Sequence, residues 1–167
     1  MPRMTSPGSP LSRLLLAAAL VWGLASLWGS PVGEAVVLET DRLWTIGVSA
    51  FEDGLYDQAY RMLGRFIEAA EPGDVRRGDA SVLRGKAALA MGQYALALVE
   101  FQAAEEYPTR AIPAGEPIFW QAEVFFRLNR FYDARDLYGR FLVVSPDSTY
   151  ATDALYGRGL CELQTEH

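Results

Sequence analysis

Three stretches decide how this chain is read: GLYDQAYRMLGRFIEAAEP (residues 54–72), GQYALALVEFQAAEEYP (92–108) and NRFYDARDLYGRFLVVSP (129–146). Laid over one another, they share one pattern. Each opens on a turn former, Gly54, Gly92 or Asn129, and an aromatic follows two residues on, at Tyr56, Tyr94 and Phe131. Alanines stand at Ala59, Ala97 and Ala134, large residues at Leu63, Phe101 and Tyr138, and Phe66, Ala104 and Phe141 come three residues later. Pro72, Pro108 and Pro146 close the units. Steps of three and four residues place these positions on one helical face. Alanine lets a neighbouring helix come close, and proline ends a helix because it lacks the amide donor.

A second helix precedes each unit. The pattern predicts helices over Asp41–Glu52, Asp79–Met91, Glu116–Leu128 and Ser148–Leu163, with small residues for close approach at Gly47, Gly85, Ala122 and Gly157. Those positions lie 38, 37 and 35 residues apart. The fold expected is all-α, three helix pairs and a last single helix, with turns near 53–55, 91–93 and 128–130. The stretches EPGDVRRGD (71–79) and YPTRAIPAGEP (107–117) read as loops, and Ser148 as a helix cap.

This pattern resembles the tetratricopeptide repeat, which places Trp/Leu, Gly and Tyr in its first helix and Ala, Phe and Pro in its second. Ile118, Ala122, Phe125, Ala134, Tyr138, Phe141 and Pro146 fall on that family's packing positions, as do Leu43, Gly47, Ala50, Ala59, Leu63 and Phe66, and then Gly85, Ala88, Ala97, Phe101 and Ala104. The resemblance implies a helical solenoid of about seven antiparallel helices, with repeats over 40–74, 78–110 and 115–146 and a final helix over 148–164. The long repeat spacing and the segment SPDSTYATDALYGRGLCEL (145–163) are similar to periplasmic members of Gram-negative bacteria that serve outer-membrane assembly or coordinate cell division. Unlike the assembly lipoproteins, the chain has no Cys near residue 35, and unlike the division coordinators it has no coiled coil ahead of the repeats.

The resemblance further implies a concave groove lined by first-helix residues: Trp44, Val48, Phe51, Glu52, Lys86, Leu89, Phe119, Glu123, Phe126, Arg127 and Arg158. Protein or peptide segments of envelope proteins are the partners this implies. A second account needs no ligand: Phe119 and Phe126 pack on the next repeat, and Glu123 and Arg127 pair with each other. The function expected is a protein-binding adaptor, the alternative a structural subunit or oligomer of an envelope assembly. The last helix is expected to cap the stack with a polar outer face of Asp153, Arg158, Glu162 and Gln164.

The first 35 residues read differently. Arg3 and Arg13 precede an apolar run, Leu14–Trp28, and Gly33 and Ala35 are small residues two apart. This is the layout of a secretory signal cut after Ala35, leaving a repeat domain over residues 36–167 in the periplasm. Two alternatives are an uncleaved inner-membrane anchor over residues 14–32 and a buried soluble helix.

Composition leaves catalysis little to work with. The chain has one His, at its end, and one Cys, Cys161, which reads as a small buried residue. No catalytic, metal or cofactor residue is expected, and acid neighbours such as Glu105–Glu106 read as solvated surface. A net charge of −6 with both signs scattered gives no general attraction for nucleic acid.

Overall fold

The computed structural model describes residues 31–107, 112, 113 and 115–165. The chain divides into two units between Val37 and Leu38. Of the first, the described part is the opening of one helix; the packing below belongs to the second. Among the described residues there are seven helices: α1 (Pro31–Glu52), α2 (Tyr56–Ala69), α3 (Arg76–Ala90), α4 (Tyr94–Glu106), α5 (Glu116–Arg127), α6 (Phe131–Val144) and α7 (Ala151–Thr165). The fold is all-α, and helices pack mainly on their neighbours in sequence, as in a solenoid-like bundle.

Three turns reverse the chain by one device. Gly54, Gly92 and Asn129 have φ of 74°, 71° and 57°, the left-handed region where a Cβ is crowded. At each turn two amides reach back to helix carbonyls that would otherwise lack a partner. Gly54 N–H donates to Phe51 O (3.1 Å) and Leu55 N–H to Ala50 O (2.8 Å). The same pair recurs from Gly92 and Gln93 to Leu89 and Ala88, and from Asn129 and Arg130 to Phe126 and Phe125. This pair of hydrogen bonds is the helix-ending motif that a left-handed residue makes possible.

At three helix crossings, two within hairpins and one between α6 and α7, a small residue meets a large one. A Cβ built on Gly47 of α1 would lie 2.7 Å from the Leu63 side chain of α2, and one on Gly157 of α7 would lie 2.6 Å from the Tyr138 ring of α6. A Cβ on Gly85 of α3 would run into the Phe101 ring of α4. Leu63, Phe101 and Tyr138 are fully buried, as are Ala59, Ala97, Ala122 and Ala134. Beyond sequential neighbours, α3 touches α5 and α5 touches α7. Arg76 of α3 also reaches Asp41 of α1 at 2.7 Å. The odd-numbered helices therefore form one layer, and α2, α4 and α6 the other.

Buried carboxylates tie the repeats together. Glu100 of α4 accepts from the Tyr60 hydroxyl of α2 (3.0 Å) and pairs with Arg84 of α3 (3.1 Å), whose guanidinium lies 4.3 Å from the Tyr60 ring centre. Glu105, expected as solvated surface, is exposed, and it also accepts from Gln121 of α5 and lies 3.6 Å from Arg140 of α6.

Several expectations are corrected. Among the described residues no helix is long and apolar enough to cross a membrane. Pro31 and Val32, the end of the anchor expected over residues 14–32, open α1, which goes on to carry Glu34, Glu39, Asp41 and Arg42. The anchor is withdrawn, and the periplasmic placement with it. The signal expected over residues 1–35 lies outside the described residues except for its last five. The loop expected over 71–79 becomes helix from Arg76, because Asp74 Oδ1 accepts the Arg76 amide (2.9 Å) and caps the first turn. Ser148 lies outside α7, although its Oγ accepts the Tyr150 amide at 3.3 Å.

The small-for-large crossings make an opposed pair of predictions. Gly85→Ala and Gly157→Ala push a methyl into a buried ring and should each lower stability by about 1–3 kcal/mol. Gly139→Ala lies in mid-helix with nothing within 4 Å of the added Cβ, and should raise it by about 0.5–1 kcal/mol. Urea unfolding of the three variants checks the register; stabilisation by Gly85→Ala would break it.

Candidate functional site

The odd-helix layer is built around a buried acid. Glu116 opens α5, and its side chain is about nine-tenths buried. Its Oε1 accepts from Lys86 Nζ of α3 (2.5 Å), from Trp120 Nε1 one turn on (3.0 Å), and from the Tyr150 hydroxyl just ahead of α7 (3.4 Å). The Lys86 ammonium lies 4.8 Å from the Trp120 ring centre. A buried carboxylate is tolerated only when its lone pairs find donors, and here three donors from α3, α5 and the α7 approach converge on one oxygen. Lys86, expected in the groove, is thus engaged inside the layer.

Beside this network, α5 and α7 part to leave an open hollow of about 450 Å³. Phe119 forms its floor. That ring is 3% exposed, stacks on Tyr150 with centroids 4.7 Å apart and also meets Phe141 and Tyr138. It therefore lines the hollow as a buried floor and does not reach out of it. Trp120, Phe126, Tyr150 and Tyr156 give the hollow its aromatic walls. Phe126 is half-buried and meets Phe131 edge-on at 5.6 Å; Tyr156 is 70% exposed. Glu123, Arg127 and Asp153 supply charge at the rim.

The rim is partly pre-organised. Arg127 Nη1 lies 3.1 Å from Glu123 Oε2, the pairing expected from their spacing. The Tyr138 hydroxyl donates to Glu123 Oε1 at 2.5 Å. Burial first, and then the Glu123 carboxylate, push the Tyr138 phenol well above its ordinary range, so it stays a donor.

The hollow thus gathers Phe119, Glu123, Phe126 and Arg127 from the expected set. The others lie elsewhere. Trp44 is half-buried against Phe66 (5.3 Å), Phe51 packs edge-on to Tyr56 (5.7 Å), and Val48 is half-buried on α1. Leu89 packs against the α3–α4 core, Glu52 is exposed at the end of α1, and Arg158 pairs with Glu162 on α7 (3.4 Å). Sequence reasoning passed over Glu116, Trp120, Tyr150, Asp153 and Tyr156. The one signal for the tyrosines was their place, six residues apart, in the segment leading into the last helix.

Cys161 is fully buried, and burial pushes its thiol up, away from the nucleophilic thiolate. Among the described residues no three His, Cys, Asp or Glu side chains gather where they could hold a metal ion. No family model matches this chain, and no curated protein shows a significant match to it.

Asp79 of α3 has a buried Oδ1 with no hydrogen-bond partner among the described residues. Burial, followed by the Glu116 and Asp74 charges, raises its pKa above the ordinary carboxylate value. The native state then holds this proton to higher pH than the unfolded chain, so the Asp79 charge opposes folding at neutral pH. That penalty fades as pH falls through the raised value. Asp79→Asn should therefore raise the urea midpoint at pH 7, with the advantage shrinking as pH falls toward about 4. An advantage that grows on acidification would refute the assignment.

Proposed function

We propose that this chain is a protein-binding adaptor of the tetratricopeptide class, which seats a segment of a partner protein in the hollow between α5 and α7 and does no chemistry of its own. Three hairpins with left-handed residues at Gly54, Gly92 and Asn129, and small-for-large crossings at Gly47–Leu63, Gly85–Phe101 and Gly157–Tyr138, support the class. The observation that carries the binding role is the hollow itself: aromatic walls, one of them exposed at Tyr156, beside both signs of charge. Aromatic anchors in a pre-formed depression, with charges around them, are the means by which helical surfaces hold peptide segments.

The chemistry of the partner follows. A large apolar side chain fills the space between Phe126 and Tyr156. A basic residue near it meets Asp153, and an acidic one meets Arg127, which sits at the rim with its side chain 43% exposed. The Glu116–Lys86 network and the Phe119–Tyr150 stack hold the floor in place before anything binds, which lowers the entropy lost on association.

Selection of a random displayed peptide library on the immobilised full chain tests this. The selected peptides should carry a large apolar residue flanked by charge. Phe126→Ala and Tyr156→Ala should each weaken them at least about tenfold, roughly 1.4 kcal/mol, with little change in melting temperature. Loss of about 3–5 kcal/mol of stability in Phe126→Ala would instead make that ring part of the core and end its role in binding.

The alternative, a structural subunit that assembles with itself, is favoured by a different surface.

A further inference from the structure

α7 turns Ala154, Gly157 and Cys161 inward, all buried. On the opposite side, Leu155, Gly159 and Leu163 recur every four residues, and because each step of four at about 100° per residue overshoots a full turn by about 40°, they form one ridge slanting across the helix. Leu155 is 54% and Leu163 61% exposed, and a Cβ on Gly159 would meet nothing within 4 Å. Asp153, Glu162 and Gln164, expected on a polar outer face, are exposed and Arg158 is half-buried, but an apolar ridge runs among them. Arg158 and Glu162 lie along one edge of the ridge, Asp153 is turned toward the hollow, and Gln164 lies beside residues 129–133 at the α5–α6 turn.

We propose that this ridge is the contact surface for a second copy of the chain, α7 lying antiparallel on α7 about a two-fold axis at Gly159. The ridge is symmetric about that residue. A two-fold sets Leu155 of each copy over Leu163 of the other, and sets Gly159 on Gly159, where two missing side chains let the helices come close. The charges fit the same operation. A two-fold brings the Arg158–Glu162 edge onto its own counterpart with direction reversed, so Arg158 of each copy reaches Glu162 of the other. Both side chains are half exposed, 42% and 48%, and need only swing across to do so. The edge is thus neutral against itself although the chain carries −6 overall. An anionic lipid surface fits less well, since it needs basic residues along the ridge and the one Arg here is matched by a Glu. A helix of 15 residues is about 22 Å long, so the contact is small and the dimer concentration-dependent. This surface is separate from the peptide hollow and does not rest on it.

Sedimentation of the full chain, with cysteine cross-linking, tests the proposal. The mass should rise with concentration from 18.4 kDa toward twice that value. The double variant Leu155→Glu/Leu163→Glu should stay monomeric while its circular dichroism remains helical. With Cys161→Ser as background, Gly159→Cys should form a cross-linked dimer under mild oxidation at least tenfold faster than Asp153→Cys, because a residue on the axis meets itself. If the double variant fails to fold, the cross-linking rates decide. A monomer at all concentrations, an association untouched by the two glutamates, or equal cross-linking from Gly159→Cys and Asp153→Cys would overturn it.

Discussion

The structure depends on helices that approach closely enough for one large side chain to fill the space left by a missing one. Leu63, Phe101 and Tyr138 are fully buried because Gly47, Gly85 and Gly157 have no Cβ to hold them off. Close packing of this kind does not deform gradually; a methyl too many must move a helix or a ring. The distance between layers is therefore set at these crossings, in the first two hairpins and between α6 and α7, and everything on the odd-helix face inherits it. Were α6 and α7 an ångström further apart, Tyr138 would lose the contact that aims its hydroxyl at Glu123, and the rim of the hollow would lose its fixed acid.

Polar groups inside this packing act by register. Glu100 and Glu116 are each taken from water and each repaid by donors from two other elements. A buried ion pair of this sort adds little net stability over apolar packing, but a slip of one residue would strand a charge, which is a large penalty. Glu100 joins α2, α3 and α4, and Glu116 joins α3, α5 and the approach to α7. Together they fix how one hairpin stacks on the next, which apolar contacts, being non-directional, specify poorly. Asp79 is the exception, a carboxylate whose buried oxygen lacks a donor, and its raised pKa is the mark of that.

α7 takes part in three environments at once. Its buried side holds Tyr138 and Cys161, its flank supplies Tyr156 and Asp153 to the hollow, and its outward side presents Leu155, Gly159 and Leu163. A helix that packs on one neighbour in a layered array keeps two faces open. In α7 both carry apolar groups, one concave and charged at its rim, the other a slanting ridge with matched charges at its edge. The two surfaces suit different occupants: a peptide side chain needs depth, and a second helix needs a continuous ridge.

The helices, the left-handed turns and the small-for-large pairs were legible in the sequence, because each is local or recurs at a fixed interval. Gly54, Gly92 and Asn129 announced the turns; Gly47, Gly85 and Gly157 announced the crossings. Helix starts were less legible: Asp74 recruits Arg76 into α3 through one hydrogen bond that periodicity does not register. The site was only half legible. Spacing along one helix put Phe119, Glu123, Phe126 and Arg127 on a common side, yet which of them was covered depended on Tyr150, twenty-three residues beyond the nearest of the four by way of another hairpin, and it was Phe119 that Tyr150 buried. Glu116 looked like an ordinary helix-start acid until Lys86 and Tyr150 closed on it. Sequence alone determined the elements and their repeat, since backbone conformation and amphipathic period are properties of neighbouring residues. The tertiary structure decided which aromatics are floor and which are wall, and that the outward face of α7 carries an apolar ridge, since burial belongs to whatever element arrives from elsewhere in the chain.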